Sequence, residues 1–281
     1  MEHVWINNKM IPKNEAVIPF NDRGYYFGDG VYEVIRIYNG RFFLMNKHMK
    51  RLQRSAAELD FSLPFTQDEI EKHAAALISK NNVKDGYIYI QATRGEQERN
   101  HLYERSLAPV VTGFTKEAPV PLEKQKKGIT LYAVEDIRWL RCDIKTINLL
   151  GNVMAKRKAE DNQAHEAIQH RGNIITEGSS TNVFIVQQGI LYTHPATNLI
   201  LHGITRELIL SLAEEHAIPW KEEAFTMHEA ALADEMFVSS TTMEITPVTK
   251  VEGTFSADYS IGTVTRKLQQ AFQENIRHEC F

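Results

Sequence analysis

The dipeptide Asn39-Gly40 stands between two runs of β type. Val31 to Tyr38 alternates and is rich in β-branched residues, and Arg41-Phe42-Phe43-Leu44 follows at once. Asn-Gly readily supplies the positive φ values of a tight turn, so the pair predicts a hairpin. Val4 to Ile11 predicts another, turning at Asn7-Asn8. Asn46 then reads as the cap of a helix with Met49, Leu52, Ala56 and Leu59 on one face. Thr66 and Glu69 form a capping-box pattern opening a second helix to about Lys80. Tyr87–Thr93 and Pro109–Phe114 read as strands. Beyond them come a strand at 129–134, a helix at about 149–164, hairpins turning at Arg171-Gly172-Asn173 and Gln187-Gln188-Gly189, and a helix from Ile204-Thr205. A short helix near Thr226, a strand at 235–239 and a last helix from about Gly262 complete the reading. Strands do not alternate strictly with helices, which argues against a doubly wound sheet. The polar stretch 115–128, with two prolines, is the best linker. The expected organisation is therefore two α+β domains, 1–118 and 119–281.

Composition narrows the function. Thirty-two Lys and Arg against 36 Asp and Glu leave a net charge of −4, without the basic excess of a nucleic-acid binder. No run of about 18 apolar residues predicts a membrane span. The opening Met-Glu-His-Val-Trp lacks the apolar core of a signal peptide. Two cysteines, Cys142 and Cys280, are too few for a disulfide framework or a zinc site, and a reducing cytoplasm is the default location. No Gly-x-Gly-x-x-Gly or Walker loop supports nucleotide chemistry. His165 to His170 has the wrong spacing for a zinc-protease helix and reads as a strand, and Gly178 to Asn182 lacks the second glycine of a nucleophile elbow.

Three features remain. Lys145 is a lone cation entering the apolar run Ile144 to Leu150. Desolvation lowers a lysine pKa and frees the amine for Schiff-base chemistry, though the residue alone reads more readily as a surface lysine at a strand end. The second feature runs Glu177-Gly178-Ser179-Ser180-Thr181-Asn182-Val183-Phe184, then Leu191-Tyr192-Thr193, then Leu201-His202-Gly203-Ile204-Thr205-Arg206. The third is Asp22-Arg23-Gly24-Tyr25-Tyr26-Phe27-Gly28-Asp29-Gly30-Val31-Tyr32-Glu33. Together they resemble the class IV aminotransferases, the fold-type IV pyridoxal-phosphate enzymes. Thr93-Arg94-Gly95 with Arg99-x-His101, the run Glu135 to Lys145, and Ser239 to Val248 resemble the branch acting on D-amino acids. The resemblance covers nearly the whole chain.

The resemblance implies a smaller N-terminal and a larger C-terminal domain, with pyridoxal 5'-phosphate in the cleft between them. It implies transfer of the amino group of D-alanine and other D-amino acids to 2-oxoglutarate or pyruvate, in a ping-pong cycle. Lys145 would carry the cofactor as a Schiff base and then shuttle a proton as general acid and base. Glu177 would bond the pyridine nitrogen and keep it protonated. The phosphate would sit at the helix opening with Ile204 and Thr205, joined by Ser240, Thr241 and Arg51. Arg51 by itself also fits a solvated helix face. Leu201 would pack on the ring, and Ser180 would lie near the cofactor. Tyr32, Arg99 and His101 would trap the substrate carboxylate, with the Arg99–His101 loop reaching in from a second subunit of a homodimer. Neither nucleic acid nor membrane is an expected partner. The rivals are a branched-chain L-aminotransferase, an aminodeoxychorismate lyase, and a cofactor-binding protein without turnover. Cys142 reads as a packed structural thiol.

Overall fold

The computed structural model describes residues 2–281, and its internal contacts divide the chain into two units. The first comprises the chain to Pro119 together with Ile144–Asn148 and Cys280–Phe281. The second comprises Val120–Asp143 and Leu149–Glu279.

The first unit holds a six-stranded sheet ordered β2-β1-β6-β5-β3-β4, every neighbour pair antiparallel. Its strands are β1 (His3–Ile6), β2 (Lys9–Pro12), β3 (Gly30–Tyr38), β4 (Arg41–Phe42), β5 (Gly86–Thr93) and β6 (Val110–Glu117). The short helix α1 (Arg23–Phe27) precedes β3, and α2 (Met45–Glu58) and α3 (Gln67–Asn81) cover one face of the sheet. Both predicted hairpins form: Asn7 (φ 48°), Asn39 (φ 51°) and Gly40 (φ 74°) take the left-handed backbone those turns need. Met49, Leu52, Ile70 and Leu77 from the helices meet Trp5, Ile35, Ile37, Ile88 and Ile90 from the sheet. Thr66 and Glu69 make the predicted capping box. The Asn46 cap is corrected. The hairpin's return strand stops at Phe42, Leu44 turns left-handed (φ 58°) as the N-cap residue, and the helix begins at Met45. Asn46 lies inside the first turn, where its side chain accepts from Gln67 Nε2 at 2.5 Å. The linker reading also changes. Residues 115–117 finish β6 with Thr115 buried, and α4 (Leu122–Lys127) forms directly after Pro121.

The second unit is built on a nine-stranded mixed sheet. Its strands are β7 (Ile129–Glu135), β8 (Glu166–Arg171), β9 (Ile174–Gly178), β10 (Asn182–Gln187), β11 (Ile190–Thr193), β12 (Trp220–Glu222), β13 (Glu235–Ser240), β14 (Glu244–Gly253) and β15 (Ala257–Asp258). The order is β12-β11-β10-β13-β14-β7-β8-β9, with β15 on β14. β14 is parallel to β7, β7 to β8 and β11 to β12; the rest are antiparallel. Helices α5 (Leu150–Asp161), α6 (Ile204–Glu215), α7 (Met227–Ala231) and α8 (Thr263–Cys280) complete the chain. Ile129, Leu131, Ile168, Val183, Ile185, Val238 and Val248 form its core. No helix among the described residues is long and apolar enough to cross a membrane.

Candidate active site

Strand parity decides what the first unit presents. Successive side chains on a strand point to opposite faces. Val31, Ile35 and Ile37 enter the helical core, so Glu33 must enter it too, and it is fully buried. Its carboxylate is met by two residues one turn apart on α2. Arg51 donates through Nε at 2.6 Å and Nη2 at 2.8 Å, and His48 Nδ1 lies at 2.7 Å. Burial pushes the Glu33 carboxyl up, but the Arg51 and His48 beside it override this and hold it well below the carboxylate range. Burial lowers the His48 pKa below its ordinary value, against the opposing pull of Glu33. The two-pronged grip fixes the plane of the Arg51 guanidinium.

On the opposite parity lies Tyr32. Lys145 reaches it by pairing with the start of β3, although it is more than a hundred residues away in sequence. Tyr32 N–H donates to Lys145 O at 2.9 Å, Thr146 Oγ1 and Ile147 N–H both donate to Gly30 O at 3.0 Å, and Lys145 N–H donates to Ser55 Oγ at 3.2 Å. The Lys145 ammonium then sits 4.1 Å from the centre of the Tyr32 ring. Tyr32 stacks on Tyr89 at 5.4 Å, and Tyr89 on Phe114 at 5.0 Å. This ladder leaves the Lys145 side chain on one defined ring face.

Arg99 and His101 are exposed on the loop between β5 and β6. Both lean on Phe27, with the Arg99 guanidinium 5.3 Å and the His101 ring 5.5 Å from its centre. Neither touches Tyr32 or Lys145, so within one chain the three proposed carboxylate ligands are not assembled.

In the second unit β9 and β10 are joined by the turn Ser179-Ser180-Thr181, closed by Gly178 N–H to Thr181 O at 2.7 Å. The turn sets Glu177 and Asn182 side by side. Asn182 Nδ2 donates to Glu177 Oε2 at 3.0 Å and to Leu201 O at 2.9 Å, and Leu201 N–H donates to the same Oε2 at 3.0 Å. Arg138 Nη1 donates to Oε1 at 2.5 Å. Arg138 is itself held by Asp136 through Nε (2.9 Å) and Nη2 (2.8 Å), and Asp136 also accepts from Arg171 and Thr176. Burial pushes the Glu177 carboxyl up to about 7, against the opposing pull of Arg138. It is thus an acid poised to change protonation near neutrality.

The same corner gathers the remaining expected residues. Asn182 pairs with Ser239 across β10 and β13, so Ser240 and Thr241 continue beside it. Gly203 lies over Asn182: a Cβ there would meet Asn182 Oδ1 at 2.1 Å, so a larger residue would push the Asn182 amide aside. Gly203 is also the N-cap residue of α6 and provides no side-chain cap. The first N–H groups of a helix have no acceptor within it, so those at Ile204 and Thr205 open α6 toward an anion. Ser240 Oγ accepts from Met243 N–H at 3.1 Å. Ser180 Oγ donates to the buried Glu166 at 2.8 Å, and Ser179 Oγ donates to the same carboxylate. The second unit therefore brings together Glu177, Leu201, Ile204, Thr205, Ser240 and Thr241. The first brings Lys145 and Tyr32 together at the start of β3, with the Lys145 backbone bonded to Ser55 of α2, one turn beyond Arg51 on the same helix. Cys142 is buried beside Trp139 O, and burial pushes its thiol up to about 11, which suits a packed, unreactive role.

Glu33, Arg138 and Asp136 lie within the quoted motifs but received no role there; the structure puts them against the expected site residues Arg51 and Glu177. Glu33 had a signal: a carboxylate at the core-facing parity of an alternating strand. Arg138 and Asp136 are separated from Glu177 by about forty residues and carry no spacing signature.

Residues 30–251 match the family described as Amino-transferase class IV, and the chain belongs to that family. Among relatives over nearly full length, a D-alanine aminotransferase of Staphylococcus epidermidis is 47% identical over 99% of each chain. One of Listeria monocytogenes is 46% identical, covering 99% of this chain and 97% of the relative. Among solved structures, a branched-chain aminotransferase of Thermoproteus uzoniensis superposes with a TM-score of 0.90 at 29% identity, covering 99% and 96%. The branched-chain amino acid aminotransferase of Escherichia coli superposes at 0.89 with 28% identity, covering 97% and 94%. The expected fold-type IV architecture is thus borne out.

Proposed function

We propose that this chain is a pyridoxal-phosphate D-amino acid transaminase, exchanging the amino group of D-alanine and other D-amino acids with 2-oxo acids such as 2-oxoglutarate and pyruvate. The observation that carries the chemistry is the Glu177 corner: a buried carboxyl pushed to about 7, beside a helix start with no side-chain cap. That donor set fits a ring bearing a basic nitrogen and a phosphate. The near-full-length similarity to D-alanine aminotransferases supports the D-specific branch over the L-specific rival.

Glu177 would hold a proton at the pyridine nitrogen. The α6 amides, Thr205, Ser240 and Thr241 would bind the phosphate, with Arg51 supplying charge, and Leu201 would cover one ring face. When bound, pyridoxal phosphate withdraws electrons from the substrate Cα, so that an amino group leaves one acid and enters another in two halves. Lys145 would bind the cofactor and move the proton at the substrate Cα, always from one face. Tyr32, Arg99 and His101 would orient the carboxylate and so decide D against L. Because one chain does not assemble these three, we infer a homodimer in which the Arg99–His101 loop completes the partner's site. Both cysteines are free thiols, which suits a reducing cytoplasm.

The test is the visible spectrum of the holoenzyme mixed separately with D-alanine and L-alanine, without acceptor. Loss of the bound cofactor's absorbance with D-alanine alone is expected. Loss with L-alanine alone would move the enzyme to the L-specific branch. Lys145→Ala is expected to abolish the change, and near-normal turnover in that variant would overturn the assignment.

A further inference from the structure

We propose that Arg23 is a positioning residue that holds the 96–105 loop in a fixed shape for binding a substrate carboxylate. This rests on the reading of Arg99 and His101 as carboxylate ligands. The loop is highly charged and its tip is exposed, features that ordinarily go with mobility. Beneath it lies a buried cation, Arg23, which is 3% exposed.

Each donor of Arg23 has a distinct target. Its backbone N–H donates to Gly95 O at 2.9 Å, gripping the loop's first hinge. Nη1 donates to Asn100 O at 2.6 Å and faces Gln97 Oε1 at 3.4 Å; Nη2 lies 3.5 Å from His101 O. The guanidinium thus holds the backbone carbonyl between Arg99 and His101, and that of His101 itself. It also packs 4.7 Å from the centre of the Phe27 ring, the ring against which Arg99 and His101 lean. Arg23 is anchored in turn by Nε to Asp29 Oδ2 at 2.8 Å. The same oxygen accepts Arg94 Nε at 2.8 Å. Arg94 secures the far end of the loop: it donates to Asp60 O at 3.0 Å and packs 3.7 Å from the centre of the Tyr103 ring, whose hydroxyl donates to Asp60 at 2.9 Å.

Two guanidiniums on one carboxylate oxygen leave a surplus positive charge in a buried place, which is costly unless its donors are used. Here the donors of Arg23 are used on the loop carbonyls of Asn100 and His101, and those of Arg94 on the carbonyls of Leu59 and Asp60. The consequence is that the loop is ordered before substrate arrives, and binding need not meet that entropy cost. Lysine cannot replace this. A single ammonium lacks the fork that reaches Asp29, Asn100 and His101 together.

The experiment follows the first half-reaction of the holoenzyme with D-alanine by the cofactor's absorbance, in wild type, Arg23→Lys, Arg99→Ala and the double variant. Losing charge-assisted bonds to two carbonyls should raise the half-saturating D-alanine concentration about tenfold in Arg23→Lys, with the limiting rate near wild type. In the Arg99→Ala background the same change should add less than about twofold, because coupled residues are non-additive. Hydrogen exchange across 96–105 should quicken in Arg23→Lys. Should that variant fail to fold, Gln97→Ala removes one Arg23 partner, together with the Gln97 bonds to Leu102 O and Glu104 N–H, and should give a smaller rise of about threefold with the same faster exchange. Unchanged saturation in Arg23→Lys, or in Gln97→Ala where it stands in, would overturn the proposal while Arg99→Ala still weakens binding. So would a full tenfold cost that persists without Arg99. Unchanged saturation in Arg99→Ala would instead remove the carboxylate-trap reading, and the proposal with it.

Discussion

Replacing Glu177 with Gln in the cofactor-free protein should change how stability depends on pH. The carboxyl titrates near 4.5 in an unfolded chain and is pushed up to about 7 when folded. Between those values the folded protein keeps the proton and the unfolded chain has released it. Folding therefore takes up a proton in that window, and stability falls as pH rises through it. A gap of about 2.5 pH units, at about 1.4 kcal/mol each, integrates to about 3 kcal/mol. Glutamine cannot ionise, so the variant lacks this loss. Its constant differences, such as a changed contact with Arg138, cancel when the two proteins are compared across pH. Urea denaturation of both at pH 4, 5, 6, 7 and 8 should show the variant gaining on wild type by about 3 kcal/mol, mostly between pH 5 and 7. A difference independent of pH would refute the argument. A difference of the opposite sign would mean that the Arg138 charge outweighs burial and that Glu177 is ionised throughout.

Glu33→Gln breaks a buried cluster and leaves Arg51 without its anionic partner; it should cost about 3 kcal/mol in denaturation of the apoprotein and weaken cofactor binding in a fluorescence titration. Gly203→Ala places a methyl group against Asn182 Oδ1 and should displace the side chain bridging Glu177 and Leu201, lowering cofactor affinity at least about tenfold at little change in secondary structure by circular dichroism. Thr66→Ala removes the exposed capping box of α3, which touches none of the expected site residues; it should cost about 1 kcal/mol in thermal unfolding and leave kcat/KM unchanged.

Local chemistry explains what the sequence made legible. The Asn7-Asn8 and Asn39-Gly40 turns and the Thr66 capping box are decided within a few residues, so pattern and structure agree there. The cap of α2 was misread because Asn46 is a good capping residue by type, while chain geometry after a two-strand hairpin put Leu44 in that place. β14 carried no separate signal: Glu244 to Gly253 lies deep in the sheet and mixes Pro247, Lys250 and Glu252 with apolar residues, hiding its alternation. The candidate site was legible where it follows one contiguous motif, from Glu177 to Thr205. It was illegible where distant segments converge, as with Asp136, Arg138 and Glu177, or Arg23 and Asn100. Such pairs are written in the fold's long-range closure, and no spacing in the chain announces them.

Residues 144–148 belong to the first unit although the chain on both sides of them belongs to the second. Ile144 fills the first unit's core, and Thr146 pairs with Val31. A chain cut between Pro119 and Val120 would thus strand Lys145 on the wrong fragment. The N-terminal piece would expose the slot beside β3, and the C-terminal piece would carry five residues with no sheet to join. The two halves should regain a common fold only by complementation, and neither half of such a gene can drift, duplicate or be exchanged as a free-standing module.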